Sequence, residues 1–298
     1  MSRLRIVVLG GTGFVGRSLC LRLASAGHEV RILTRHRERH RDLLVLPSAQ
    51  VVETDVHDPA MLRREFAGCD AVINLVGILN ESRRMSFERA HVELPARVAQ
   101  GCRAAGVPRL LHMSALHAGV TAPSRYLRSK ARGEQAVMAA AGVLRVTSFR
   151  PSVIFGRGDS FTNRFAALLR QVPLVFPLAC PEARLQPVHV EDVTQSFVVA
   201  LERPETAGQC YNLCGPRAYS LRELVVLIAN LTGQRRRILP LGSALSLLQA
   251  RLLQFAPGKP FAPDNFYSLQ VPSICADSFP EIFGIDPAGF ESTASAYL

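Results

Sequence analysis

The sequence has no tryptophan, only 7% aromatic residues, and just two lysines, Lys130 and Lys259, among its 35 cationic side chains. No run approaches the ~20 consecutive apolar residues of a membrane-spanning helix. The first apolar stretch, Ile6–Leu9, meets glycine too soon for the hydrophobic region of a signal peptide. Low-complexity blocks are missing, and 48% hydrophobic with 20% charged residues is a globular composition, which excludes general disorder. The seven cysteines are an odd number scattered through apolar segments. Cys210 and Cys214 share one strand face, but no second pair completes a zinc site, and no metal is expected. Buried free thiols in a reducing cytoplasm are the expected state of all seven.

Carboxylates are also scarce, 24 against 35 cations, for a formal net charge of +11. A basic balance suggests an anionic partner. No DNA- or RNA-binding motif and no interleaving of basic and aromatic residues accompanies it, so nucleic acid is not expected as a partner. Most of the arginine excess reads as compositional background.

A chain of 298 residues can bury a large core. Its first half alternates short β-branched runs with amphipathic stretches. Strands are predicted at 4–9, 30–34, 51–54, 71–76, 110–114 and 145–150, with helices at 14–26, 59–67, 87–105 and 125–141. Such alternation implies right-handed crossovers and a parallel sheet covered on both faces, the α/β doubly wound (Rossmann) architecture. After Pro151 proline and glycine cluster and helices dominate, with predicted helices at 221–231 and 244–255. The expected division is a nucleotide-binding domain over 1–155, to which 186–203 returns as a strand and helix, and a smaller, mainly helical lobe over 156–298.

The first strand runs into Gly10-Gly11-Thr12-Gly13-Phe14-Val15-Gly16-Arg17, in which Gly10, Gly13 and Gly16 have G-x-x-G-x-x-G spacing. Between a strand and an amphipathic helix, such glycines permit a tight turn, close backbone approach to a pyrophosphate and helix–sheet contact. The helix N-terminus then offers N–H groups and positive potential to phosphate. NAD-specific folds place a carboxylate about 20 residues further on, to hold the ribose 2′-hydroxyl. Here the second strand ends Thr34-Arg35-His36-Arg37, with no carboxylate before Glu38. Guanidinium groups pair with a 2′-phosphate, so Arg35 and Arg37, assisted by Arg17, predict NADP(H) over NAD(H). Asp55 and Val56 after the third strand suit the adenine amino group and ring face. Asn74 to Gly77, at the end of the fourth, lie on the expected ribose and nicotinamide path.

Tyr126-Leu127-Arg128-Ser129-Lys130 is a Y-x-x-x-K on a predicted helix, which puts phenol and ammonium on one face a turn apart. A phenol is a poor acid or base at neutral pH unless a nearby cation favours its ionised form, and Lys130 is expected to do so. Ser114, ending the fifth strand, could hydrogen-bond the same substrate oxygen. A lone Tyr/Lys pair is usually a surface pair; the upstream glycine loop changes its meaning here. His189 reads as a core histidine, and Arg157 and Asp159 as candidates for a substrate mouth.

In this order, Gly10–Gly16, Asp55, Asn74, Ser114 and the Tyr126/Lys130 pair resemble the short-chain dehydrogenase/reductases, in their extended or atypical, NAD-dependent epimerase/dehydratase-like branch. Residues 124–134 (SRYLRSKARGE), 150–156 (RPSVIFG) and 187–193 (PVHVEDV) look like the nucleotide-binding accessory subunit of mitochondrial complex I and its bacterial homologues. The resemblance spans nearly the whole chain and implies a tightly held NADPH, with Pro151 as a further cofactor contact. It also implies a possible non-catalytic role beside a membrane respiratory or ubiquinone-synthesis complex. Sugar-nucleotide epimerases of this branch commonly have asparagine where this chain has His91, which argues against such a substrate.

The expectation is therefore an NADP(H)-dependent oxidoreductase acting on a small or apolar, quinone-related carbonyl or alcohol. Its first alternative is a nucleotide-binding accessory or assembly protein; a sugar-nucleotide epimerase/dehydratase comes third. A cytoplasmic location is expected, with peripheral contact to the inner membrane open. Ala244, Leu245, Leu247, Leu248, Leu252, Leu253 and Phe255 form a wide apolar stripe that follows Arg235-Arg236-Arg237. It is either an ordinary helix packed on the sheet or a face resting on an anionic membrane.

Overall fold

The computed structural model describes residues 3–172 and 174–298. Its elements follow in chain order as β1 (Arg5–Leu9), α1 (Phe14–Ser25), β2 (Glu29–Thr34), β3 (Ala49–Glu53), α2 (Pro59–Phe66) and β4 (Ala71–Asn74). A six-residue π-helical segment, Glu88–Glu93, leads into α3 (Leu94–Ala104), followed by β5 (Arg109–Met113), α4 (Arg125–Met138) and β6 (Arg145–Pro151). Then come β7 (Ile154–Phe155), α5 (Thr162–Gln171), β8 (Val175–Leu178), β9 (Arg184–Leu185), β10 (Val188–His189) and α6 (Val190–Glu202). The chain finishes with β11 (Gln209–Leu213), β12 (Tyr219–Ser220), α7 (Leu221–Leu231), β13 (Arg237–Pro240), α8 (Ser243–Leu253), α9 (Pro263–Ser268) and α10 (Phe290–Ala294).

Seven parallel strands pair in the order β11-β6-β5-β4-β1-β2-β3. The order reverses between β1 and β4, and a crevice at that switch point is where doubly wound sheets bind ligands. The inner strands are apolar on both faces because both are covered: Ile6, Val7, Val8 and Leu9 are all buried. One face packs α1 and α6 through Leu19, Leu23, Val193 and Phe197. The other packs α2, α3 and α4 through Leu62, Phe66, Val98 and Val137. Helix α6 lies beside α1, so this late segment covers the first crossover. β11 joins the sheet as its edge strand, beside β6, a placement its sequence did not announce.

A third apolar cluster, with Phe155, Leu169, Phe176, Leu224, Ile228 and Phe290, forms the interior of the lobe. Ser220 and Glu223 form a capping box that starts α7. The state expected of the cysteines is corrected at two positions: Cys214, just past β11, is disulfide-bonded to Cys275. The two residues are 61 apart in sequence, so spacing gave no sign that the lobe's tail folds back onto the sheet's edge. The other five are free, and burial pushes Cys20 up to about 12 and Cys69 to about 11, which keeps them as thiols.

Candidate functional site

β1 delivers the chain into Gly10 at φ +78°, a left-handed conformation that L side chains rarely adopt. A Cβ on Gly16 would sit 2.2 Å from the Gly10 carbonyl oxygen, so the loop and the first turn of α1 can be this close only without a side chain. Helices α2, α4 and α7 are capped by the side chains of Asp58, Ser124 and Ser220. α1 begins at Gly13 with no side-chain cap and no acidic residue in its first turn. The N–H groups of Phe14, Val15 and Gly16 therefore have no intrahelical acceptor, and nothing neutralises the positive end of the helix dipole. This cradle fits a dinucleotide pyrophosphate.

At the C-terminal ends of β2 and β3 a cavity of about 430 Å³ is lined by Arg35, Glu53, Thr54, Asp55 and His57, with Arg84, Met85 and Arg89 closing it. Among the described residues, Thr54 Oγ1 and His57 Nδ1 are buried there without a hydrogen-bond partner. Arg35 is exposed at the rim of this lining. Arg37 is exposed and lies outside this lining, its backbone N–H donating to the Glu53 carboxylate at 2.9 Å. Arg17 is held by the chain itself: Nε donates to the Thr12 carbonyl at 3.0 Å, and the guanidinium forms an ion pair with Asp42. Asp55 accepts from the His57 N–H at 2.9 Å, and Val56 is buried beside it. Arg84 and Arg89 went unnoticed in the sequence because they sit on a loop and an irregular helix start, with no motif to mark them.

The second half of the crevice gathers Asn74, Gly77, His91, Ser114, Tyr126 and Lys130. Asn74 is fully buried, its Oδ1 accepting from the Val76 N–H at 3.2 Å and its amide facing His112 Nδ1 at 3.3 Å. Gly77 faces Lys130 and His91 so closely that a Cβ there would lie 3.4 Å from Nζ and 3.7 Å from Nε2. Lys130 Nζ donates to the Met113 carbonyl at 2.9 Å, at the end of β5. The next residue, Ser114, is buried, its hydroxyl at the edge of hydrogen-bonding reach of the Glu134 carboxylate. Pro151 ends β6 and accepts from the Leu116 N–H at 3.0 Å. Tyr126 is half-buried, its ring edge-on to His91 at 5.4 Å and to Phe87 at 5.9 Å.

His91 proves to be an organiser of this crevice. Its Nε2 accepts from the Ile78 N–H at 3.0 Å, which leaves the ring proton on Nδ1 to donate to Ser129 Oγ at 2.9 Å. Ser129 in turn donates to the Tyr126 carbonyl at 2.7 Å. Burial and the Lys130 charge hold His91 at about 2, so it stays neutral. Gly133 lets α4 approach this segment; a Cβ there would come within 1.7 Å of the His91 carbonyl oxygen. From the lobe, Asp264 accepts from the N–H groups of Arg125 and Tyr126 at 2.7 and 3.0 Å, which fills the N-terminus of α4.

Two expectations are corrected here. Burial pushes Tyr126 up to about 12 rather than letting Lys130 lower it, and burial brings Lys130 itself down to about 8. Asp159 does not line a substrate mouth: it is buried and accepts from the N–H groups of Gly156, Phe161 and Thr162, anchoring the start of α5. His189 is only partly buried, its ring against Phe155 at 5.2 Å. Among the described residues no His/Cys/Asp/Glu group could hold a metal.

A seven-stranded Rossmann sheet, an uncapped glycine turn at its first helix and a Tyr/Lys pair on α4 define a nucleotide-cofactor protein of the short-chain dehydrogenase/reductase fold. The model of the NAD dependent epimerase/dehydratase family matches residues 6–214, and the chain belongs to that family. It is 32% identical to "NADH dehydrogenase [ubiquinone] 1 alpha subcomplex subunit 9, mitochondrial" of Mus musculus over 95% of this chain and 77% of that protein. It is 33% identical to a ceramide reductase of Caulobacter vibrioides over 67% of this chain and 61% of that one. A nucleoside-diphosphate-sugar epimerase from Staphylococcus aureus superposes with a TM-score of 0.76 at 16% identity, covering 97% of this chain and 99% of the other, a likeness of fold.

Proposed function

We propose that this chain is an NADP(H)-dependent oxidoreductase that moves hydride between the cofactor and the carbonyl or alcohol carbon of a small apolar compound, quinone-related compounds included. The observation that carries this reading is the buried Ser114 hydroxyl beside the Lys130 anchor at Met113, on the same crevice as Tyr126. When bound, the nicotinamide supplies or accepts the hydride. The Gly10–Gly16 turn would hold the pyrophosphate on the N–H groups of Phe14, Val15 and Gly16, and Asp55 and Val56 the adenine. Ser114 donates its hydrogen bond to the substrate oxygen. Tyr126 carries a proton across the neutral range and would give it to the carbonyl oxygen as the carbon is reduced, although burial makes it a weaker acid than a free phenol. Lys130, a compact ammonium next to Gly77, is placed to hold ribose hydroxyls.

The relatives named as ceramide reductase and 2-alkyl-3-oxoalkanoate reductase support an apolar carbonyl substrate. Arg35, with Arg84 and Arg89 across the cavity, favours the 2′-phosphate of NADP(H). Arg35→Ser is expected to weaken NADPH binding about 10–100-fold, the worth of a charge-assisted contact, and to leave NADH within about twofold. Equal losses for both cofactors in a fluorescence titration would contradict that role.

Lys130 gives a pH signature. Its pKa in the folded chain, about 8, lies below its ordinary 10.5, so between those values the unfolded chain binds more protons and stability rises with pH. Over the same window the ammonium is lost and nucleotide affinity falls. Relative to Lys130→Met, the wild-type chain should gain thermal stability and lose NADPH affinity as pH rises through 8. Parallel behaviour of the two proteins in both measurements would contradict the assignment.

A second reading rests on the similarity over 95% of the chain to a subunit of an NADH dehydrogenase. In it the protein is a cytoplasmic NADPH-binding accessory of a membrane respiratory or quinone-synthesis complex, held peripherally at the inner membrane. A tightly bound NADPH that no carbonyl or quinone compound oxidises would favour it.

A further inference from the structure

Helix α8 is turned inside out. Its inward positions are small: Ser246 and Ala250 are buried, and Ser246 Oγ fastens the helix by accepting from the Cys180 N–H at 3.0 Å and donating to the Leu241 carbonyl at 3.1 Å. Leu247 and Leu253 are partly buried, but the other large apolar side chains face out, with Leu245 55%, Leu248 51%, Leu252 65% and Phe255, just past its end, 84% exposed. At about 100° per residue these four fall within one arc of about 80°. An ordinary lobe helix would bury such a stripe, so the packing expected for it is overturned.

The segment that carries this face is charged with one sign. Between Glu223 and Asp264 the chain carries Arg235, Arg236, Arg237, Arg251 and Lys259 and no carboxylate. Arg235, Arg237 and Arg251 are exposed, and among the described residues none of them is in a salt bridge. An apolar stripe edged by unpaired guanidinium groups matches a bilayer with anionic headgroups: leucine and phenylalanine side chains enter the acyl boundary while arginines meet phosphate. A protein partner bearing carboxylates would satisfy the charge, and it is separated from a lipid surface by the vesicle test below. No described helix is long and apolar enough to cross the membrane, so the contact is superficial.

We propose that the outer face of α8, through Leu245, Leu248, Leu252 and Phe255, docks this protein onto an anionic membrane surface, with Arg235, Arg237 and Arg251 engaging lipid phosphates. The docking needs no bound nucleotide; it is independent of the oxidoreductase reading and supplies the face by which the second reading would hold the protein at a membrane. It is tested by co-sedimentation of the full chain with vesicles of equal parts phosphatidylglycerol and phosphatidylcholine, against phosphatidylcholine alone. Binding to the anionic vesicles is expected at low salt, with release toward 1 M salt, where the Debye length is about 3 Å. The double variant Leu248→Asp, Leu252→Asp should bind at least about tenfold more weakly, with unchanged circular dichroism because both side chains face solvent. Arg235→Ser, Arg237→Ser should weaken binding to anionic vesicles only. Absence of binding at low salt, or equal binding by wild type and the leucine variant, would overturn the proposal. A wild-type dimer that the leucine variant dissociates, without vesicle binding, would assign the face to a second copy and overturn it equally.

Discussion

Tyr126→Phe is expected to lower the rate of hydride transfer by about 10²–10⁴-fold while leaving NADPH affinity within about twofold. The phenol is the only group in the crevice both half-exposed and set by burial to hold a proton through the neutral range. His91 is neutral, with both ring nitrogens engaged by Ile78 and Ser129, and Lys130 Nζ gives one of its three donors to Met113. Removing one oxygen leaves the ring edge-on to Phe87 and His91, so the fold and the nucleotide cradle are untouched. A single-turnover measurement with NADPH-loaded protein separates the two effects. An unchanged rate would remove Tyr126 from the chemistry.

The second large effect is on folding. Gly133→Ala puts a Cβ 1.7 Å from the His91 carbonyl oxygen, and that atom belongs to backbone that cannot rotate away. Either α4 or the Glu88–Glu93 segment must move, and overpacking of this severity costs about 3 kcal/mol or more. For a chain of this size thermal unfolding should drop by about 6–10 °C or the protein should fail to accumulate. Because α4 carries Tyr126 and Lys130, any variant that does fold should also lose nucleotide affinity. An unshifted transition would show that the two segments are not held this closely. Gly133 is thus a positioning residue: it lets the helix with the chemistry approach the helix that holds His91.

Much of the architecture is legible in residues of one kind. Ile6–Leu9, Ile32–Leu33 and Leu110–Leu111 are continuous apolar runs because strands buried on both faces need them, and the glycine turn between the first strand and helix fixes where a nucleotide goes. A strand at Cys210–Cys214 was legible, but not its place in the large sheet, since Gln209 and Asn212 are exposed and Tyr211 half-buried, as suits an edge. The Cys214–Cys275 bond depends on a tail returning across the molecule, which local pattern does not encode.

In the site, spacing marked Gly10–Gly16 and Tyr126/Lys130 because one turn or one helix positions them. Arg84, Arg89, His57 and Asp264 escaped notice because only the tertiary fold brings them to the crevice. The protonation states were misjudged for a related reason: in the sequence a cation one turn away dominates, whereas in the fold burial outweighs it for Tyr126 and acts on Lys130 as well. The two lysines, rare in an arginine-rich chain, end in different places. Lys130 stands at the crevice, and Lys259 Nζ donates to the Glu81 carbonyl at 2.8 Å, tying the lobe to the loop after β4.

The most direct test loads the purified chain with NADPH and follows nicotinamide absorbance as long-chain ketones and short-tailed quinones are added, for wild type and Tyr126→Phe side by side. An NADP(H)-dependent oxidoreductase predicts oxidation of the bound cofactor by at least one of these compounds in the wild type, slowed at least about a hundredfold in the variant. Cofactor that stays reduced with every compound, or that is oxidised equally fast by both proteins, would contradict it.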